Sequence, residues 1–250
     1  MEPRWDRGPQ AITLVRHAES IGNVADARAH DEHAEALDLD VRDADVPLSD
    51  LGRKQGQALA EWLEREAASR RPTLVISSPY RRALETAELA VGQLGLVPDV
   101  DERLRERDLG RFDGLTGRGI QANFPDEATR RDKIGKFYYQ PPAGESWADV
   151  VLRVRSFLHD LASVGDGERV WLFSHQAVIM AHRYVLEGLS EAQVIESAQN
   201  EPLPNASRTV FESDGTGYRM RCFGDATPVE EAEAEVTHES AKDEEHRRGA

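Results

Sequence analysis

Three arginines and two histidines stand in three short stretches of this chain: LVRHAES around Arg16 and His17, SSPYRRALETAE around Arg81 and Arg82, and FSHQAV around His175. Guanidinium groups present planar forks of N–H donors, and imidazole changes charge near neutral pH, so together they suit the capture of a small anion. Taken singly, each stretch is ordinary. A histidine at a strand end is commonly a structural hydrogen-bonding residue, and SSPYRRALETAE reads equally well as an exposed helix with Arg–Glu pairs at helical spacing. Their meaning depends on whether the fold brings them together.

The surrounding pattern says that it does. AITLVRH, TLVISSP and RVWLFSH are nearly continuous apolar, β-branched runs, the signature of strands buried on both faces of a parallel sheet. Between them, Leu51, Ala58, Leu59, Trp62 and Leu63 recur at helical spacing after Ser49, a good N-cap. Trp147, Val150, Val151, Val154, Phe157, Leu158 and Leu161 do the same after Ser146. Further helices are expected from about Pro79 to Leu94 and from about Gln176 to Leu189. This alternation predicts a three-layer α/β/α sandwich with a mostly parallel central sheet. SRTVFES and GYRMRCF, joined across DGTG, form an antiparallel hairpin at one edge. In open α/β sheets, ligands bind beyond the carboxyl ends of the strands. Arg16, His17 and His175 lie at such ends, and Arg81 and Arg82 stand at the entry of the helix after the second strand. Four groups, Arg16, His17, Arg82 and His175, are thus predicted to line one electropositive rim, with Arg81 facing solvent.

That rim sits on a strongly acidic protein. The 250 residues carry a formal net charge of −15, which opposes phosphate backbones and anionic lipid, so neither nucleic acid nor a membrane is an expected partner. No apolar run approaches the roughly 20 residues that span a bilayer. The start, MEPRWDRGPQ, lacks the apolar region of a signal peptide, and Cys222 is the only cysteine, so a cytoplasmic location is the expectation. Residues 1–10 read as an arm and 11–225 as one domain. The stretch from Ala226, ATPVEEAEAEVTHESAKDEEHRRGA, has no aromatic residue and little apolar surface, so 226–250 is expected to be a disordered acidic tail.

In this order, LVRHAES, SSPYRRALETA, LRERDLGRFDGL and FSHQAV resemble the histidine phosphatase superfamily, the phosphoglycerate mutase-like group. The likeness runs from about Ile12 to Phe223. It implies that His17 is the phosphorylated nucleophile, that Arg16, Arg82 and His175 complete the phosphate pocket, that Glu106 is the proton donor and that Asn23 contacts substrate phosphate. Gln176 stands where many members of the superfamily have glycine, and HQAV resembles the fructose-2,6-bisphosphatase branch. GKFYYQPPAGESWADV resembles the matching region of the superfamily's broad-range acid phosphatases.

The implied reaction is hydrolysis of a small phosphomonoester through phosphohistidine, with guanidiniums and a protonated His175 offsetting charge on the transferring group, so no metal or other cofactor is expected. The alternatives are a cofactor-dependent phosphoglycerate-type mutase and a non-catalytic phosphate-ester-binding regulatory protein. The mutases' Phe-Thr-Gly-Trp segment is replaced here by an acidic insertion, which favours hydrolysis. Two covers over the site are expected, at 24–46 and 110–144. The first contains HDEH, whose His30 and His33 could reach one metal if helical, although its acids and alanines suit a solvated flap better. FYYQPP in the second offers either aromatic walls for a leaving group or a packing patch.

Overall fold

The computed structural model describes residues 8–238 except Asp166 and Pro202. In chain order its elements are β1 (Ala11–Arg16), α1 (Ile21–Asp31), α2 (Asp50–Arg65), β2 (Leu74–Ser77), α3 (Arg81–Val91), β3 (Asp99–Val100), α4 (Gly117–Asn123), α5 (Pro125–Ile134), α6 (Trp147–Leu161), β4 (Arg169–Ser174), α7 (Gln176–Glu187), α8 (Glu191–Asn200), β5 (Arg208–Ser213), β6 (Tyr218–Asp225) and α9 (Thr227–Glu231). They build one mixed sheet in the order β3-β2-β4-β1-β5-β6. The four strands from β3 to β1 pair in parallel, and β5 and β6 add the antiparallel edge. This is the expected α/β sandwich. One face packs Ile12, Leu14, Val170 and Leu172 against α6 and α7, and the other packs Val15, Trp171 and Phe173 against α2 and α3. Side chains on successive strand residues alternate between faces, so β1 and β4 need apolar residues at nearly every position.

Helix starts follow the expected chemistry. Ser49 caps α2 by accepting from the Gly52 N–H, and Ser146 forms a capping box with Asp149 at the head of α6. Gly52 has a second reason to be glycine, because a Cβ there would lie 1.9 Å from the Glu19 carbonyl oxygen. α2 can approach the loop after β1 only without that atom.

Three expectations need correction. The acidic insertion is not a free solvated flap: its first part is α1, which buries Ala25 and Ala29. Its middle is tied to the second cover by Leu37 N–H donating to the Gly114 carbonyl and Thr116 N–H to the Glu35 carbonyl. The start of the chain is no loose arm either, since Pro9 accepts from the Tyr218 hydroxyl and Gln10 N–H donates to the Glu168 carbonyl; residues 1–7 lie outside the described residues. The third concerns the tail. Residues 226–238 dock on the domain through α9, with Val229 fully buried against the α2 side of the core, whereas 239–250 lie outside the described residues. A few well-placed valines and a proline suffice where a groove is ready to receive them, and average composition does not register that.

Candidate active site

β1, β2 and β4 end side by side, and the backbone joins their ends: His17 N–H donates to the Ser174 carbonyl at 2.9 Å and Ser78 N–H to the Phe173 carbonyl at 2.9 Å. His17 and His175 therefore meet, with ring centroids 5.2 Å apart. Both are buried, as are Arg16 and Arg82. The His17 Nδ1–H donates to the Ala18 carbonyl at 2.8 Å. A carbonyl can only accept, so Nδ1 carries the proton and Nε2 keeps its lone pair for attack. Burial, then the charges of Arg82 and Arg16, hold the His17 pKa well below its ordinary value, which keeps that lone pair free in mild acid.

The loop carrying His17 is held on all sides. Ala18 N–H donates to Thr86 Oγ1, Glu19 N–H to Gln55 Oε1, and Asn205 Nδ2 to the His17 carbonyl. Gln55 Nε2 and Asn205 are in turn bonded to Thr237, at the far end of the docked tail. Arg16 Nη1 donates to the Leu203 carbonyl. None of these supports was visible in sequence, because each joins segments far apart in the chain.

The His175 pKa is held well below the usual value by burial first, then by Arg82, His17, Arg153 and Arg16, so with no anion in the pocket its neutral form is favoured. Its Nε2 bonds Ser78 Oγ at 2.8 Å, while its buried Nδ1 has no protein partner among the described residues. The Tyr80 ring stands edge-on to it at 5.2 Å, and the Arg82 guanidinium lies 5.2 Å from the same ring. Burial and the Asp43 charge raise the Tyr80 hydroxyl to about 12, which keeps it a neutral donor. Ser78 and Tyr80 thus belong to the site, although sequence reasoning named neither. Arg81 pairs with Glu85 at 2.6 Å and is exposed, as expected.

Glu106 is half-buried in the loop after β3, and its Oε1 accepts from the Arg107 N–H at 2.7 Å. Arg153 of α6 positions this loop by donating to the Glu106 and Arg103 carbonyls while pairing with Glu145. Asn23 occupies the third position of α1, where its Oδ1 accepts from Ser20 N, Ser20 Oγ and Asn205 Nδ2. Those three donors fix the amide and leave its Nδ2 as a donor for an anion. FYYQPP resolves into packing for two of its rings, since Phe137 and Tyr139 are buried and Phe137 stacks near Tyr184.

The descriptive profile of the histidine phosphatase superfamily (branch 1) matches residues 12–226. The chain belongs to that superfamily. Among its relatives, a glucosyl-3-phosphoglycerate phosphatase of Mycobacterium tuberculosis (strain ATCC 25618 / H37Rv) is 37% identical over 175 residues, 66% of this chain and 74% of the relative. A 6-phosphofructo-2-kinase/fructose-2,6-bisphosphatase of Gallus gallus is 34% identical over 171 residues, 68% of this chain and 31% of that one. A mycobacterial glucosyl-3-phosphoglycerate phosphatase solved in complex with VO3 superposes with a TM-score of 0.69 at 30% identity, covering 86% of this chain and 99% of that one.

Burial of three histidines carries a price in acid. His17, His175 and, on α7, His182 are all buried with lowered pKa values; burial brings His182 to about 4. An unfolded histidine takes up a proton near pH 6.5, so between that pH and the folded values the unfolded state binds more protons and stability falls as pH falls. At pH 5 each histidine contributes a loss of up to about 2 kcal/mol. The urea midpoint is therefore expected to drop from pH 7.5 to 5, and His182→Leu should shrink that drop measurably. An undiminished drop in the variant would exclude His182 as a source.

Proposed function

We propose that this protein is a metal-independent phosphatase that hydrolyses small phosphomonoesters through a phosphohistidine on His17. The observation that carries this reading is the His17 imidazole itself: buried, neutral, tautomer fixed with Nε2 free, and flanked by Arg16, Arg82 and His175. Nε2 attacks phosphorus and the ester P–O bond breaks. Glu106, protonated at the start, gives its proton to the leaving alkoxide. As a carboxylate it then takes a proton from water, whose oxygen attacks phosphorus and breaks the N–P bond, returning free His17 and inorganic phosphate. The transferring group spreads negative charge over three oxygens, which the forks of Arg16 and Arg82 and the Asn23 amide are suited to hold. A dianion entering the pocket supplies the acceptor that lets His175 take up a proton or donate through Nδ1.

Similarity to phosphatases of sugar-linked phosphates supports hydrolysis, and the lone cysteine and acidic surface support a reduced, cytoplasmic setting without nucleic acid. No helix among the described residues is long and apolar enough to cross a membrane. The test is a panel of phosphate esters, assayed with EDTA and without added 2,3-bisphosphoglycerate, that includes aryl phosphates, glucosyl-3-phosphoglycerate and fructose 2,6-bisphosphate. Phosphate release is expected. Glu106→Gln should slow sugar phosphates by roughly 10²–10⁴-fold and aryl phosphates far less, because an aryl oxide leaves with little help from an acid. Conversion of 3-phosphoglycerate to 2-phosphoglycerate that requires added bisphosphate, without phosphate release, would make the protein a mutase instead.

A further inference from the structure

The reaction above does not use one of the strongest contacts at its own rim. Arg82 Nη1 donates to the Asp43 carbonyl at 2.6 Å and to its Oδ1 at 2.9 Å, while Nη2 donates to Oδ2 at 3.2 Å. This two-pronged grip is the geometry by which a guanidinium holds a phosphate. The Arg82 side chain is 7% exposed and that of Asp43 39%, so the arginine is fixed within α3 and the carboxylate reaches it from the open side. Asp43 rides on a one-turn 3-10 segment, Asp43–Asp45, that buries no side chain. That segment lies between two firmer anchors, the Leu37–Gly114 bond and the buried Val46. It is the lightly held part of the insertion.

We propose that Asp43 is an internal competitor for the phosphoryl group, holding the Arg82 fork in the resting protein, yielding it to an entering phosphate ester and retaking it as inorganic phosphate leaves. The proposal rests on the reading of Arg82 as a phosphate ligand. Its physical basis is the cost of leaving a buried guanidinium without a counter-charge, which the carboxylate covers between turnovers. A phosphate dianion carries twice the charge and more acceptor oxygens, so it displaces the carboxylate where a monoanion does not. Asp43 thereby favours dianionic esters and weakens the hold on product.

The test titrates inorganic phosphate calorimetrically into the wild type, Asp43→Asn and Asp43→Glu, and measures kcat and KM with an aryl phosphate. Asp43→Asn keeps the shape and removes the charge, so it should bind phosphate about ten-fold tighter, with KM falling in step and kcat not rising. Asp43→Glu restores the charge and should return phosphate affinity toward the wild-type value. Phosphate binding that is unchanged or weaker in Asp43→Asn would overturn the proposal and assign Asp43 to orienting Arg82. Wild-type protein that neither binds phosphate nor hydrolyses the ester would overturn the reading of the pocket, and the proposal with it.

Discussion

Replacing His17 with alanine is expected to cut turnover of an aryl phosphate by at least about 10⁴-fold, the scale set by loss of a covalent nucleophile. The same variant should accept no label from radiolabelled substrate after a rapid alkaline quench, which preserves phosphohistidine, whereas the wild type should be labelled. The expectation follows from one atom. His17 Nε2 is the imidazole nitrogen left with a lone pair once Nδ1–H is committed to the Ala18 carbonyl, and burial first, then the flanking guanidiniums, favour the neutral ring. Alanine removes both nitrogens but leaves the loop's backbone bonds to Ser174, Thr86 and Asn205 in place. A circular dichroism spectrum like that of the wild type would tie the lost activity to chemistry. Label persisting on the alanine variant would assign the nucleophile to another residue.

Deleting residues 226–250 is expected to lower the thermal midpoint by about 10 °C or more, at roughly 2–4 °C per kcal/mol for a chain of this size. Val229 is fully buried, and exposing a core valine costs about 1.5–3 kcal/mol. Removal of Thr237 and Glu235 strips partners from the buried Gln55 and Asn205 amides, at about 1–3 kcal/mol for each group left unsatisfied. Those amides bond Glu19 and His17, so turnover should fall as well. A chain ending after His238 keeps every one of these contacts and serves as the control. An unchanged midpoint after deletion from 226 would mean that this docking adds no stability.

What could be read from sequence was whatever rests on local pattern. Arg16, His17 and His175 follow apolar runs that could only be central strands, so their placement beyond the strand ends was legible from topology. Glu106 and Asn23 were legible only through family likeness. Asp43, Ser78, Asn205 and Thr237 were not legible, because their roles depend on contacts between segments widely separated in the chain. α1 escaped notice because small alanines make its buried face, and β3, at two residues, is too short to leave a pattern. The tail was misjudged because its average composition is that of a solvated segment, while its stability comes from a few apolar side chains meeting a groove on α2.

The place of β1 in the middle of the sheet carries a consequence for how the protein is made. Its neighbours are β4 and β5, with Arg16 in register with Ser174 and Val15 with Arg208. On a ribosome, AITLVRH emerges well before β4 and β5, the strands it must pair with. Until the second half of the chain has been synthesised, this apolar strand has both hydrogen-bonding edges open, a condition that invites aggregation and slows folding. The pocket around His17 is thus completed only once β4 and His175 have emerged, and a product that stops short of them should be both inactive and a natural client for chaperones.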